Sequence, residues 1–440
     1  MTVATLFRLI EVPTPTDGET TFLHSALEAL SGEESMRLGG NLDQMITATE
    51  FVAGSLDSDT RRTHILIATS PEGVAGEDLT LAHLESAGAL HRALSLSQRE
   101  FGAEDRGVGE VAESDAGMSA GEVAESDAGM GAGEVAESDA GKDADQPSRL
   151  AIAGALSISY PLRDNLETAD LEVMLADDFV GSGVEAILLR IAEDVVRAQG
   201  RTRLEVWTEH SAWEEASEAD TRLVHAVVTA LPTDGTMVSP VQTSLSVELQ
   251  EAGYRAEFSE WINVLNVDQH ESMAIPVEGY ELLTWHSPQS PLELLDELAP
   301  LYALASTDMP SGSLTRSDEV WDVGRVVRKE QLATRSNTEW LVAAVRPVGG
   351  ELVGWSKINV TGGDAPVAAF QEGTLTREDH RGRGLATWMK RANVAQLRDL
   401  YPSVRRVWTW NSGGNTPVIA LNIRFGFTPA RLAVAWEKKL

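Results

Sequence analysis

The strongest constraint on the fold is an internal similarity between the two halves of the sequence. Residues 204–208 (LEVWT) align with residues 405–409 (RRVWT) at an offset of 201 positions, which is 405 minus 204. The same offset superposes DFVGSGVEAILL (178–189) on DHRGRGLATWMK (379–390). A repeat of this length can form a domain with its own core. The sequence therefore predicts two copies of one fold in tandem.

Each copy shows the same order of secondary-structure patterns. In the second copy, two strand-like runs (352–360 and 365–376) precede a glycine-rich turn, an amphipathic helix and another strand (404–410). The helices are recognised by apolar stripes with helical spacing, namely Val184, Ile187, Leu188, Ile191 and Val195 in the first copy and Leu385, Trp388, Met389, Ala392 and Ala395 in the second. These patterns predict a mixed α/β fold.

The predicted domain limits are 1–267 for the N-terminal domain, 268–279 for an acidic linker and 280–440 for the C-terminal domain. The first domain contains an insertion, at about 101–148, in which GEVAESDAG occurs three times with a twelve-residue period. Each unit has too little apolar surface to form a core, so we expect a disordered acidic tether. The tether is either an inert spacer or a segment that binds a partner.

Composition excludes several classes of function. Among the 440 residues, 35 are Lys or Arg and 68 are Asp or Glu, giving a formal net charge of −33. So acidic a surface is typical of a highly solvated or salt-adapted protein, and because it repels phosphates and anionic lipids we expect neither nucleic-acid nor membrane binding. The absence of cysteine excludes disulfides and a cysteine nucleophile. We expect a cytoplasmic protein without a metal site.

The glycine turn of the second copy carries the clearest chemical signal. Residues 380–386 read HRGRGLA, between a predicted strand and a predicted helix. Backbone N–H groups at a helix N-terminus bind anions, and glycines let a phosphate come close because they have no Cβ. A dinucleotide-binding fingerprint would need glycine where Thr387 stands, and a P-loop would need Lys followed by Ser or Thr. The turn therefore predicts a phosphate site of another type.

Charge distinguishes the two copies. Residues 371–406 contain eight bases and four acids, a net charge of +4, whereas the aligned residues 170–205 contain four bases and eight acids, a net charge of −4. The alignment places Glu185 opposite Ala386 and Val180 opposite Arg381. Because a carboxylate at the turn would repel a pyrophosphate, we expect only the second copy to bind the anion. The alternative is that the basic residues form a solvated helix face.

The pattern R-x-x-G-x-A at residues 381–386 resembles the acetyl-CoA-binding motif of the GNAT superfamily of acyl-CoA N-acyltransferases. The tandem arrangement is similar to that of mycothiol synthase and related actinobacterial acetyltransferases, in which one copy commonly keeps the cofactor site. The resemblance implies two tandem GNAT-like domains, each with a central mixed, mostly antiparallel sheet flanked by helices. It also implies that strands 365–376 and 404–410 splay apart at a bulge, where cofactor and acceptor meet.

The resemblance assigns cofactor-binding roles to individual residues. Thr374, Leu375 and Thr376 would pair with the pantetheine arm of acetyl-CoA, which Asn415 would also contact. The pyrophosphate would be held by Arg381, Gly382, Arg383, Gly384, Leu385 and Ala386.

The reaction implied is direct attack of an amine on the thioester, with a small-molecule primary amine as acceptor. Glu372 is the best placed carboxylate to act as the base, although it could equally be an exposed strand residue. Asn422 stands where the family often has the tyrosine that protonates the thiolate. Because a thiol has a pKa of about 8.5, water or an asparagine hydrogen bond can assist its departure. The alternative is a non-catalytic protein that binds acyl-CoA or a partner.

Overall fold

A computed structural model describes residues 8–12, 14, 19–56, 60–71, 150–211, 242–269, 273–308, 310, 312–361 and 365–440. The strands are β1 (Arg8–Glu11), β2 (Arg61–Pro71), β3 (Leu150–Pro161), β4 (Thr168–Leu175), β5 (Arg203–Ser211), β6 (Arg255–Asn266), β7 (Tyr280–His286), β8 (Glu339–Pro347), β9 (Gly354–Val360), β10 (Ala368–Thr376), β11 (Arg406–Ser412) and β12 (Thr428–Lys439). The predicted acidic repeat lies outside the described residues.

Eight helices of at least eight residues accompany these strands in the described ranges. They are α1 (Phe22–Gly39), α2 (Ala48–Ser55), α3 (Val184–Ala198), α4 (Ser244–Glu251), α5 (Leu295–Asp308), α6 (Val323–Arg335), α7 (Leu385–Leu400) and α8 (Thr416–Phe425). The mixed α/β fold is confirmed. No helix in these ranges has both the length and the apolar character needed to cross a membrane.

The described strands form one sheet in the order β1-β2-β3-β4-β5-β12-β6-β11-β10-β9-β8-β7. All neighbours are antiparallel except β4 with β5 and β10 with β11, so each half repeats one mixed arrangement. The last strand of each half is exchanged, because β12 pairs with β5 and β6 pairs with β11. The exchange joins both halves in one sheet. The predicted domain limits stay a prediction.

The two predicted helix stripes are buried as expected. Val184, Ile187, Leu188, Ile191 and Val195 of α3 belong to the core of the N-terminal half. Leu385, Trp388, Met389 and Ala392 of α7 are buried in a cluster of the C-terminal half, and Ala395 is half-buried. Burying a large apolar side chain stabilises the fold by roughly 1.5–3 kcal/mol, so these stripes fix each helix on its sheet.

Both parallel ladders are short, and this positions the sites. β10 pairs with β11 only from Ala368 opposite Arg406 to Phe370 opposite Trp408. The register of β10 against β9 then shifts between Gln371 and Gly373. Because a β-bulge bends its strand, β10 leaves β11 at this point. The splay at a bulge, which the resemblance implied, is confirmed.

A buried polar contact links the halves beside this splay. The Asp43 carboxylate, from the segment between α1 and α2, pairs with the Arg406 guanidinium and accepts a hydrogen bond of 2.9 Å from the Trp408 indole. Both partners lie on β11. A buried charge is tolerated when it is paired and hydrogen-bonded, so this contact anchors the N-terminal half to the strand that borders the splay.

Candidate functional site

The glycine turn of the C-terminal half leads from β10 into α7. A short 3₁₀ turn (Glu378–His380) is followed by the exposed residues 381–384, and Gly384 caps α7. Gly382 and Gly384 have φ angles of 74° and 85°, values that favour glycine. α7 has 16 residues and no acidic residue in its first turn. Leu385 is buried beneath the turn, and Ala386 is half-buried in the first turn of the helix. The turn is an exposed helix N-terminus of the kind that binds anions.

The equivalent turn of the N-terminal half has the same backbone conformation, but a side chain of the protein itself fills it. Gly181 and Gly183 have φ angles of 76° and 85°, and α3 follows Gly183. Here the Glu185 side chain folds back, and its Oε1 accepts a hydrogen bond of 2.7 Å from the Gly181 backbone N–H. The residue is 0% exposed. A carboxylate of the chain therefore occupies the position that an anion could take in the C-terminal half.

The two arginines of the open turn have different surroundings. The Arg381 Nε donates a hydrogen bond of 2.9 Å to the Thr376 carbonyl, and its guanidinium pairs with Asp308 at the end of α5. Arg383 is exposed. The Arg381 side chain is thus directed back to the end of β10, whereas Arg383 lies at the surface of the turn.

Among the described strands, β10 has one neighbour beyond the bulge. Thr374, Leu375 and Thr376 pair with β9 on one edge, and their other edge faces the gap that separates β10 from β11. The Thr374 hydroxyl lies 3.0 Å from the Ser356 hydroxyl. The Thr376 hydroxyl oxygen is buried and has no hydrogen-bond partner within the described chain. An extended ligand could therefore pair with this edge by backbone hydrogen bonds.

Three buried asparagines lie on the far side of the gap. The Asn411 Oδ1 accepts hydrogen bonds from the Asn263 Nδ2 at 3.0 Å and the Asn422 Nδ2 at 2.7 Å. Asn263 belongs to the exchanged strand β6. The Asn422 Oδ1 is buried and unpartnered among the described residues. Asn415 accepts a hydrogen bond of 3.4 Å from the Val418 N–H and so caps α8. Sequence reasoning did not single out Asn263, and it named Asn411 only as part of the context that follows the motif.

Glu372 sits at the bulge between two lysines. Its Oε1 lies 2.7 Å from the Lys329 Nζ of α6, and its Oε2 lies 2.7 Å from the Lys357 Nζ of β9. The Lys357 residue is only 1% exposed, and its Nζ lies 3.5 Å from the centroid of the Trp340 ring. Tyr302 lies against both lysines, with its ring centroid 5.8 Å from each Nζ. This cluster is defined as the bulge cluster.

The bulge cluster changes the proton affinity of its members. Burial alone would raise the pKa of Glu372, but the charges of Lys329 and Lys357 outweigh it and hold that pKa far below its usual range. Burial lowers the pKa of Lys357 to about 8, although Glu372 opposes the change. Glu372 is therefore a carboxylate of low basicity, and its predicted role as the base stays a prediction. Within the bulge cluster, Lys357 has its pKa shifted toward neutrality.

The sequence could have pointed to Lys357, although the residue was missed. It is the only charged residue in the strand sequence GWSKINV of β9, and the other six residues of the strand are uncharged. A single lysine in a buried strand needs a counter-ion, since an unpaired buried charge is costly. The identity of that counter-ion depends on the bulge, which brings Glu372 to β9.

Comparisons with known proteins agree with these observations. Residues 298–427 match the sequence model of the acetyltransferase (GNAT) family. A tandem GNAT protein from the clavulanic acid biosynthesis pathway superposes with a TM-score of 0.61 at 16% identity, covering 98% of both chains. A GCN5-related N-acetyltransferase from Sphaerobacter thermophilus gives a TM-score of 0.49 at 15% identity, covering 98% of this chain and 96% of the other. No curated protein matches the sequence.

Proposed function

We propose that the chain is a tandem-domain acyltransferase of the GNAT type, and that its C-terminal half transfers the acetyl group of acetyl-CoA to a primary amine of a small molecule. One observation carries this proposal: in the described chain the two glycine turns share a backbone, but a carboxylate fills only the N-terminal one. The half with the open turn is also the half that matches the family.

The residues of the open turn fit the pyrophosphate of the co-substrate. Gly382 and Gly384 present no Cβ to an approaching phosphate, and the space beside each is open within 4 Å. Ala386 has no carboxylate to compete for the backbone N–H groups. We assign the pyrophosphate to the N–H groups of residues 382–386, with Arg381 and Arg383 as counter-charges.

The gap between β10 and β11 fits the pantetheine arm. We assign the arm to the free edge of Thr374, Leu375 and Thr376, with Asn415 at the start of α8 on the opposite side. The bound thioester would then lie near the bulge, where Glu372 and the Lys357 amine are found. Holding two reactants in one cleft supplies much of the rate enhancement in a direct transfer.

The transfer requires a neutral amine. Its nitrogen lone pair attacks the thioester carbon, the C–N bond forms, the C–S bond breaks and the nitrogen loses a proton. A free alkylammonium has a pKa of about 10, so the site must remove that proton. In our proposal the Glu372 carboxylate binds the ammonium group, which gives its proton directly to the neutral form of the Lys357 amine, a form that a pKa of about 8 makes available near neutral pH.

The thiolate leaves without a tyrosine. Asn422 has one N–H committed to Asn411, and Asn411 is held by Asn263 of the exchanged strand. We propose that Asn422 orders this side of the gap and that water protonates the thiolate, whose ordinary pKa of about 8.5 allows it to leave near neutral pH.

Calorimetric titration with acetyl-CoA tests the binding site. Arg381→Glu should weaken binding at least ten-fold, since it places an anion beside the pyrophosphate. Val180→Glu, the aligned substitution in the N-terminal half, should leave the affinity unchanged. Equal affinity for wild type and Arg381→Glu would contradict the assignment.

Release of the CoA thiol in the presence of primary amines tests the reaction. We expect turnover with at least one amine, and mass spectrometry should detect an acetylated product. Tight binding of acetyl-CoA without turnover for a broad amine panel would contradict transfer to a small-molecule amine while preserving the binding site.

A further inference from the structure

The N-terminal half contains a cavity of about 470 Å³. It opens where β4 leaves β5, beyond the last ladder pair, Leu171 opposite Val206. Side chains of β4, β5, α1 and the start of α4 line it, together with Arg431 of the exchanged strand β12. The offset of 201 residues places this cavity at the position of the gap between β10 and β11 in the C-terminal half.

The coenzyme end of this cavity is unsuited to a phosphate. The Glu185 carboxylate occupies the glycine turn, as described above. The lining adds the carboxyl groups of Glu34, Asp170, Glu172 and Glu209. A polyanionic ligand would meet these carboxyl groups in the cavity and the Glu185 carboxylate at the neighbouring turn, so the cavity selects against acetyl-CoA.

The bases in the lining neutralise only part of this charge. Arg61 pairs with Asp170, Arg37 pairs with Asp177 outside the cavity, and Arg431 pairs with Glu209 at 3.1 Å. Glu34 and Glu172 have no ion pair within the part of the chain that the structure describes. Glu34 is half-buried and Glu172 is exposed at the rim, so a cation inside the cavity would lie between these two carboxylates and act as their counter-ion.

The titration behaviour of these groups agrees with a missing counter-ion. Burial raises the pKa of Glu34 to about 8, and the nearby Glu172 raises it further, while Arg37 opposes the change. Glu172 lies nearby and is exposed to solvent at the rim of the cavity. The free protein therefore holds a proton on Glu34 where a ligand could place a positive charge instead.

A second observation concerns a donor. Arg431 borders the cavity and is only 4% exposed, and its Nε–H lacks an acceptor among the described residues. The hydroxyl groups of Ser157, Ser159 and Thr208 also line the space. A buried guanidinium N–H without an acceptor is costly, so an oxygen atom of a ligand would complete the site.

We propose that this cavity binds a small organic ammonium compound that carries an oxygen acceptor. Glu34 and Glu172 hold the ammonium group, and Arg431 with the neighbouring hydroxyl groups binds the oxygen. The site is separate from the coenzyme site proposed for the C-terminal half and does not depend on it. The N-terminal half thus keeps the cleft of its fold and binds a ligand of opposite charge.

The full-length chain is tested with a matched pair of probes. Calorimetric titration should show that 5-aminopentanol binds at least ten-fold more tightly than 1,5-pentanediol, which has the same length and no charge. Above pH 6 the binding of the amine should release protons, which titration in buffers of different ionisation enthalpy measures. Equal affinity for the two probes would overturn the proposal.

Variants locate the probe. Glu172→Gln and Glu34→Gln should each weaken the binding of 5-aminopentanol at least five-fold. The control Glu251→Gln, at an exposed position of α4, should leave the affinity unchanged. Arg381→Glu should leave the amine affinity unchanged, so failure here is distinct from failure of the coenzyme site. If a variant fails to fold, thermal unfolding of the wild type still tests the proposal. 5-Aminopentanol should raise its Tm and 1,5-pentanediol should not. Unchanged affinity in folded Glu172→Gln would overturn the proposal.

Discussion

The two glycine turns of this chain have the same backbone conformation, but only the C-terminal turn is open to a ligand. Gly181 and Gly183 have nearly the same φ angles as Gly382 and Gly384, and each pair precedes a long amphipathic helix. The N-terminal turn is closed because the Glu185 carboxylate accepts a hydrogen bond from the Gly181 backbone N–H. The two halves therefore share the backbone geometry of the turn, and one side chain decides whether the turn is open.

The clefts beside the two turns also differ in the charge of the side chains that line them. In the C-terminal half the bulge cluster sets two lysines against Glu372. In the N-terminal half the cleft contains two carboxyl groups, Glu34 and Glu172, that lack an ion pair within the described ranges. The halves have therefore diverged in electrostatics more than in fold, and each prediction below tests one side of that contrast.

The largest effect is expected from closing the open turn. Ala386→Glu copies the arrangement of Glu185, and a carboxylate about 4 Å from a phosphate costs about 4 kcal/mol at an effective dielectric constant of about 20, or roughly 1,000-fold in affinity. Calorimetry with acetyl-CoA should show this loss, with an unchanged Tm as evidence of folding. The counterpart Glu185→Ala should not alter the affinity of the C-terminal site. Wild-type affinity in Ala386→Glu would remove the basis of the contrast.

The next effect concerns the bulge cluster. Lys357→Met should lower kcat/KM about 100-fold, a typical value for loss of a general base, with little change in acetyl-CoA affinity. Burial lowers the pKa of Lys357 to about 8, so wild-type activity should rise up to that pH as the amine becomes neutral. The rise should be absent in Lys357→Met and present in the control Lys329→Met. A pH profile that is the same in all three proteins would exclude Lys357 as the proton acceptor.

A smaller effect is expected on stability from the acidic cavity. The pKa of Glu34 is raised to about 8 in the folded state, so between its ordinary value and pH 8 the folded protein binds more protons than the unfolded chain. Stability from this group therefore falls as the pH rises through that window. The shift corresponds to about 4 kcal/mol at pH 8, but Glu34 is half-buried and partly screened by solvent, so Glu34→Gln should increase the free energy of unfolding by roughly 2 kcal/mol at pH 8 and by little at pH 4.5. Urea denaturation at both pH values measures this, and equal changes at both would count against the assignment.

The smallest effect concerns the ion pair between Arg381 and Asp308. Because the pair is partly exposed, it is worth at most about 1 kcal/mol. Asp308→Asn frees Arg381 for the pyrophosphate and should tighten acetyl-CoA binding up to about five-fold, more so at low ionic strength. Glu378→Gln, in the same turn, serves as the control for a general change in charge. Weaker binding in Asp308→Asn would mean that the pair positions Arg381 for the ligand.

Much of this organisation could be predicted because it is local in sequence. The stripes of α3 and α7 follow from helical periodicity, and the closed and open turns follow from the identity of residues 185 and 386. The motif at 381–386 lies within residues 298–427, the region that matches the GNAT family model. The roles of the individual cofactor-binding residues, from Thr374 to Asn415, stay predictions.

Other features could not be predicted because they depend on contacts between distant segments. Glu372 was expected to be a base, but its two lysine neighbours come from α6 and β9. Asn422 was expected near the thiolate, and its hydrogen bond leads through Asn411 to Asn263 of the other half. No local pattern encodes these partners.

The sequence alone determined the duplication, the mixed α/β fold and the half with the open glycine turn, because each depends on short-range spacing or on the charge of one residue. The exchange of β6 and β12 and the cavity bordered by Arg431 were decided by tertiary structure. Strand pairing brings together backbone groups more than a hundred residues apart, and the same ladder can be closed by either half's last strand. Only the packed sheet shows which strand closes it, and thereby which charges face each cleft.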